Sequence, residues 1–299
     1  MQTSLKKVFI TGATGYIGGS VAAHLAHNGY VVTGLVRKAA DISRLKALGI
    51  RAVQGDLDNV SVITEQAQAA DAIINAASAD NPYVVATLLA ALAGTGKTLI
   101  HTSGSSIAGD KAAGEHGPQT RYSVIPTEPL LEKAGRVAID RTVMGATEQG
   151  LRSIVICPTM IYGDGLGLKK DSIQVPLLRQ AARQYQAGVF IGKGANVWSN
   201  VHIRDLAQLY QLALEKAPAG AFYYAENGEA AIFDIAEVIS RLPGFNGKTR
   251  SLSMDEAIAL WGAEGAHFGL GSNSYVSAER AREELGWQPA ERDILQHVQ

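Results

Sequence analysis

A short apolar strand that runs directly into three glycines, and from them into a helix, limits this chain more than any other stretch. The run is Lys6-Lys7-Val8-Phe9-Ile10-Thr11-Gly12-Ala13-Thr14-Gly15-Tyr16-Ile17-Gly18, and Val21, Ala22, Leu25 and Ala26 continue it at helical spacing. Glycine permits a tight turn and lets backbone N–H groups approach a pyrophosphate, while the helix N-terminus adds partial positive charge. The spacing G-x-x-G-x-x-G departs from the usual G-x-G-x-x-G, so the strand-to-helix setting carries the reading of a dinucleotide site at Gly12, Thr14, Gly15, Tyr16, Ile17 and Gly18. A tight βα turn holding no ligand is the alternative.

The rest of the chain agrees with an α/β protein. Strand patterns fall at Lys7–Thr11, Tyr30–Val36, Arg51–Gln54, Ala72–Asn75, Thr98–Thr102 and Ser153–Cys157. Helical patterns lie between them, at Tyr16–His27, Ile42–Ala47, Val60–Gln68, Tyr83–Ala93 and about Leu130–Gln149. Such alternation predicts a Rossmann-type, doubly wound parallel sheet whose strand carboxyl ends share one ligand-binding edge. After Tyr162 the pattern loosens into a glycine-rich crossover, a helix about Ile173–Gln186, a strand at Phe222–Ala225, and helices at Ile232–Arg241 and Ala278–Leu285. The expected division is a dinucleotide-binding domain over residues 1–162 and a smaller substrate lobe over 163–299, with part of the lobe returning to the sheet.

Composition narrows the partners. With 299 residues and a net charge of -1, the chain offers no support for nucleic-acid or anionic-membrane binding. It shows no basic leader and no run of 18 apolar residues, so the expectation is a soluble, cytoplasmic protein. The one cysteine, Cys157, sits in an apolar strand pattern and reads as buried and inert. The histidines lack a compact metal-ligand spacing, so no metal is expected, and the absence of a G-x-S-x-G elbow argues against a Ser-His-Asp hydrolase.

The second strand bears on cofactor choice. An Asp or Glu at its end would bond ribose hydroxyls, whereas Val36 stands there, followed by Arg37 and Lys38. Two cations suit a 2′-phosphate, which favours NADP(H) over NAD(H); two solvated surface cations are the alternative. Asp56, with Leu57, follows the third strand, where an acid can accept from the adenine amino group. Asn75-Ala76-Ala77 ends the fourth strand with small side chains that admit a cofactor.

These motifs together resemble the extended short-chain dehydrogenase/reductase superfamily, in its NAD-dependent epimerase/dehydratase group, over nearly the whole length. The resemblance rests on Thr11–Gly18, Gly55-Asp56-Leu57, His101-Thr102-Ser103-Gly104-Ser105-Ser106, Pro158-Thr159-Met160-Ile161-Tyr162-Gly163, Val201-His202-Ile203-Arg204-Asp205 and Glu284-Leu285-Gly286-Trp287-Gln288-Pro289. It implies cofactor contacts at Thr102, Pro158 and Met160. Family enzymes carry Tyr-x-x-x-Lys on the long helix, and counting back from Gly150-Leu151 places Glu132 and Arg136 at those positions, with Asp140 one turn further on. The chain thus resembles an atypical member. Arg136 can hold the nicotinamide ribose, while Glu132, with a pKa raised near the cofactor, or Tyr122, swinging in from the preceding loop, can replace the proton donor. A solvated glutamate and a surface aromatic are the alternatives. Ser103, with Ser105 second, is the expected partner of the substrate oxygen; Tyr162, Trp198 and His202 are expected at the substrate, Tyr162 bordering the cavity. His101 reads as a satisfied core residue, and Asp205 as an acid that bonds backbone. Leu166, Leu168, Gln174, Val175 and Phe190 suggest a partly apolar substrate pocket.

Two functions follow as expectations. The first is an NADP(H)-dependent oxidoreductase that reduces a carbonyl or similar group on a small molecule. The second is a regulatory protein that senses NADP(H) without turnover. The resemblance also implies a homodimer through Tyr83–Ala93 and Arg136–Gln149, although Val84, Val85, Leu88, Leu89 and Leu92 fit burial within one chain equally well.

Overall fold

The computed structural model describes residues 7–298. Five βα steps and a sixth strand open it: β1 (Lys7–Thr11), α1 (Tyr16–His27), β2 (Val31–Val36), α2 (Ala40–Lys46), β3 (Arg51–Gln54), α3 (Val60–Ala69), β4 (Ala72–Asn75), α4 (Pro82–Leu92), β5 (Thr98–Thr102), α5 (Leu131–Gly145) and β6 (Arg152–Pro158). There follow β7 (Met160–Tyr162), α6 (Gln174–Tyr185), β8 (Gly188–Ile191), β9 (Val197–His202), α7 (Ile203–Lys216), β10 (Ala221–Ala225), β11 (Glu229–Ala231), α8 (Ile232–Ser240), β12 (Thr249–Leu252), α9 (Met254–Glu264) and α10 (Glu279–Leu285).

Seven strands form one sheet in the order β10-β6-β5-β4-β1-β2-β3, and every neighbouring pair is parallel. The inner strands β4 and β5 are buried at every position, because helices cover both faces. On one face α1 and α7 pack with Ile10, Ile74, Ile154 and Tyr223; on the other α3, α4 and α5 pack with Phe9, Ile73, Leu99 and Val155. Val84, Val85, Leu88, Leu89 and Leu92 of α4 are all buried in the second of these cores, so the apolar stripe of that helix serves the monomer. Asn81 starts α4 by accepting from Tyr83 N (3.0 Å) and Val84 N (3.2 Å), with Pro82 at the first turn where its missing N–H costs nothing.

The remaining elements form a third core around Met160, Tyr162, Trp198, Ile235 and Ala266. A three-stranded sheet, β11-β9-β7, and the pair β12-β8 carry it. The chain returns to the large sheet through α7 and β10. The long helix read over Leu130–Gln149 is α5 followed by a separate 3-10 turn, Ala146–Gln149, which Gly150 ends in the left-handed conformation. No helix among the described residues is long and apolar enough to cross a membrane.

Candidate active site

The strand order reverses between β1 and β4, which opens a crevice at their carboxyl ends. Gly12 turns the chain there with φ +75°, and a Cβ on it would lie 2.7 Å from the Ala76 carbonyl oxygen and 2.9 Å from Ala77 Cα. A Cβ on Gly18 would stand 2.5 Å from the Gly12 oxygen. The loop therefore closes on itself and on β4, with Gly15 N donating to Gly12 O at 2.8 Å. Gly12, Thr14, Gly15, Ile17, Gly18, Ala76 and Ala77 meet at this crevice with the N-terminus of α1. The cradle is one that only glycine backbone fits, which suits a pyrophosphate. Tyr16 joins from above: its hydroxyl donates to Gly163 O at 2.6 Å and its ring lines the neighbouring cavity.

At the end of β2, exposed Arg37 and Lys38 line a depression of about 390 Å³ with Thr14, Ala40, Asp41, Arg44, Leu168 and Lys169. Arg44 is tied to Asp41 at 2.8 Å, so Arg37, Lys38 and Lys169 are the cations this depression presents without an ion-pair partner among the described residues. Asp56 is exposed and holds the turn after β3 by accepting from Asp58 N at 3.0 Å, while Leu57 packs on the core.

A second cavity, of about 410 Å³, lies past Ile17 and Ala76 and is walled by Ser103, Ser105, Ser106, Arg136, Pro158, Thr159, Ile161, Trp198 and Phe268, among others. Arg136 reaches it from α5. Its Nε and Nη2 donate to Asp80 at 2.8 and 2.6 Å, and Nη1 donates to Ser106 Oγ at 2.9 Å. The guanidinium holds the Asp80 carboxyl below the usual range, and Asp80 in turn keeps Arg136 charged against its burial. Ser105 Oγ accepts from Ser274 Oγ at 3.1 Å, and the Trp198 indole donates to Ser272 O at 2.8 Å.

Several expected side chains are turned elsewhere. Alternation along β7 points Ile161 at the cavity and Met160 and Tyr162 into the third core, where the Tyr162 hydroxyl donates to Glu291 O at 3.2 Å. Tyr162 therefore does not border the cavity. His202 caps α7, accepting from Arg204 N at 3.3 Å, and its ring packs against Tyr162. Thr102 shares a hydrogen bond with Tyr210 at 2.7 Å, away from the crevice. Asn75 is buried beneath the sheet edge, where it accepts from Thr11 Oγ1 at 2.6 Å and meets His101 Nδ1 at 3.1 Å. His101 is buried as expected but not fully satisfied, because its Nε2 has no hydrogen-bond partner among the described residues.

The proposed donors fare no better. Glu132 lies on the outer side of α5, since positions 133, 137 and 140 are the ones that face the core. It pairs with Lys111, which holds its carboxyl low rather than raised. Tyr122 is fixed by backbone pairing, its N–H donating to Tyr275 O at 3.1 Å, and its side chain packs on the second core. Among the lobe residues named for the pocket, Gln174 alone lines the cavity; Leu166 and Leu168 pack against α1, and Val175 and Phe190 belong to the lobe's core.

Other residues enter that pattern reading overlooked. Asp205 does bond backbone as expected, accepting from Ala290 N and Glu291 N at 3.0 and 2.9 Å. Asp80, Ser106 and Lys169 were not foreseen. Nor was a π-helical turn, Gly265–Leu270, which brings Phe268, Gly269 and Leu270 to the cavity. Its anchor is Lys133, 3% exposed, which pairs with Glu264 and sits 4.3 Å from the centre of the Phe268 ring. The cluster Gly262, Gly265, Gly269, Gly271 was the available signal for irregular backbone there.

Known proteins share this arrangement. Residues 8–224 match the model of the NAD dependent epimerase/dehydratase family. The chain is 30% identical to Oxidase ucsJ of Acremonium sp. over 98% of its own length and 96% of that protein. It is 23% identical, over 74% of its length and 68% of the relative, to the 4-hydroxy-2-methyl-3-oxo-4-farnesyl-3,4-dihydroquinoline-1-oxide ketoreductase of Stigmatella aurantiaca. Among solved structures, DesIV, a dTDP-glucose 4,6-dehydratase from Streptomyces venezuelae with NAD and TYD bound, superposes with a TM-score of 0.76 at 19% identity, covering 98% of this chain and 95% of that one. With the glycine cradle, the parallel sheet and the matched residues in agreement, this chain belongs to the NAD dependent epimerase/dehydratase family.

Proposed function

We propose that this protein is an NADP(H)-dependent oxidoreductase that reduces a carbonyl, or oxidises the matching alcohol, on a compact and largely apolar molecule. The observation that carries the reading is one side chain common to two hollows. Lys169 lines both the cation-rich depression at the end of β2 and the cavity that holds Ser103 and Arg136. Arg37 and Lys38 would take the 2′-phosphate, the Gly12–Gly18 cradle the pyrophosphate, and Arg136 the ribose hydroxyls. When bound, the nicotinamide supplies or accepts the hydride. Ser103 stands in the cavity wall to hold the substrate oxygen, and Pro158, Ile161, Leu177, Trp198, Phe268 and Leu270 exclude water around it. The family relatives named above include an oxidase and a ketoreductase, which supports either direction of this chemistry. The cavity is open rather than plugged by a side chain, which supports turnover over mere sensing. A homodimer across the outer groove between α4 and α5, lined by Pro82, Ala86, Ala138, Ile139 and Thr142, belongs to the same reading.

The test is cofactor affinity. A charge-assisted hydrogen bond contributes about 1.5–3 kcal/mol. The double substitution Arg37→Ala/Lys38→Ala is therefore expected to weaken NADPH binding about 100-fold or more, with NADH affinity within about threefold. Calorimetric titration of both cofactors reads this directly. Equal affinity of the unaltered protein for NADH and NADPH would sink the NADP(H) assignment.

A further inference from the structure

We propose that Asp140 stores the proton that Ser103 delivers to the substrate oxygen, with His101 holding the carboxyl from behind, so that a buried Ser–Asp–His line acts as the proton source of the site. The inference rests on the carbonyl-reduction reading above for its chemistry, and on Ser103, Asp140, His101, Asn75 and Thr11 for its geometry. Ser103 Oγ is in the cavity wall and lies 2.6 Å from Asp140 Oδ2. Asp140 and His101 are both 0% exposed, and Asp140 Oδ1 faces His101 Nε2 at 3.7 Å, neither atom having a hydrogen-bond partner among the described residues. A carboxyl buried only to hold the fold would satisfy both oxygens; this one has one oxygen bonded toward the cavity and one left facing an imidazole.

The polar line also fixes the proton positions. Asn75 Oδ1 takes the Thr11 hydroxyl proton, so the Asn75 amide N–H faces His101 Nδ1, which accepts, while the Ala79 backbone also acts on the imidazole. The neutral imidazole then carries its proton on Nε2, aimed at Asp140 Oδ1. The order in space is Ser–Asp–His, not Ser–His–Asp. No imidazole touches the hydroxyl, and the arrangement therefore moves a proton rather than building a nucleophile.

Reduction of C=O to CH–OH needs a hydride at carbon, from reduced nicotinamide, and a proton at oxygen. The Ser103 O–H bond breaks as its proton passes to the substrate oxygen, and the Asp140 O–H bond breaks as its proton replaces it on Ser103. Asp140 is left as a carboxylate opposite His101 Nε2–H. After product leaves, water in the cavity returns one proton by the reverse path through Ser103. Burial pushes the Asp140 carboxyl up to about 7, against the pull of the Ser103 hydrogen bond and of Arg136. The groups that face it are Arg136 on its own helix, Asp80 before α4, His101 on β5, and Cys157 and Tyr224 on β6 and β10. Burial lowers His101 to about 4 and raises both Cys157 and Tyr224, so these three stay neutral while Asp140 titrates.

Infrared difference spectra of the protein alone, titrated from about pH 5 to 9, test the store without turnover. A carboxylic C=O band absent from Asp140→Asn and lost near neutral pH is expected; a carboxyl ionised throughout that range overturns the proposal. NADPH consumption with para-nitrobenzaldehyde supplies the second arm. Reduction should fall above the pH at which the band disappears, and Asp140→Asn should lower kcat about 100-fold with KM little changed and abolish that basic limb. An unchanged limb in Asp140→Asn overturns the relay. No reduction of any carbonyl despite tight NADPH binding would instead retire the reductase reading, and the infrared band would still decide whether Asp140 holds a proton.

Discussion

Gly12→Ala is expected to abolish measurable NADPH binding and to cost about 2–5 kcal/mol of stability. Two penalties add at this one atom. An alanine at φ +75° suffers the left-handed clash between Cβ and backbone, about 1–2 kcal/mol. The same Cβ would sit 2.7 Å from Ala76 O and 2.8 Å from Ala76 C, which are backbone atoms and cannot rotate aside. Relief requires the ends of β1 and β4 to part, and that parting widens the crevice whose N–H groups would meet the pyrophosphate. Denaturant unfolding and NADPH fluorescence measure the two effects separately. Retention of NADPH affinity within about twofold would mean that the cradle is not where the dinucleotide lies.

Trp287→Ala carries the second large effect, and it falls on stability alone. The indole is 1% exposed in the core shared by α1, α7 and α10, and its Nε1–H donates to Asp205 O at 3.0 Å. Truncating a buried tryptophan costs about 3–5 kcal/mol, through lost burial and the cavity left behind. The expected fall in Tm is about 10 °C. Trp287 lies behind the sheet, so NADPH affinity below the transition should stay within about twofold. A fall of only a few degrees would show that the C-terminal segment contributes little to this core.

The sequence disclosed the sheet far better than the lobe, for a physical reason. Buried parallel strands read as short apolar runs, and Lys7–Thr11, Arg51–Gln54, Ala72–Asn75 and Thr98–Thr102 begin and end where the pattern places them. By contrast β7, β8, β11 and β12 stand outside the alternation of strand and helix that frames the sheet strands, and pairings such as Tyr162 with His202 and Thr249 with Gly188 leave no mark in the order of elements. Local periodicity contains nothing of such pairings. The same split runs through the site. The glycine cradle, Arg37, Lys38, Ser103 and Arg136 were legible because their place follows from strand ends and helix turns. Side-chain direction was not: a one-residue change of phase along β7 exchanges Ile161 for Tyr162 at the cavity wall. Asp140 was legible as a residue but not as the partner of Ser103 and His101, since that contact joins α5 to the end of β5, far apart in sequence.

The loop that carries Lys169 has a kinetic consequence. It lies on α1 through the Tyr16 hydroxyl bonded to Gly163 O, Leu166 N donating to Ser20 Oγ at 3.0 Å, and a contact between Gly167 and Gly19 that leaves no room for a Cβ. The helix under the pyrophosphate cradle and the wall of the substrate cavity are thus one mechanical unit. On the proposed reading this unit links the two ligand sites, and the expected kinetic outcome is ordered addition with the dinucleotide first, read from product-inhibition patterns.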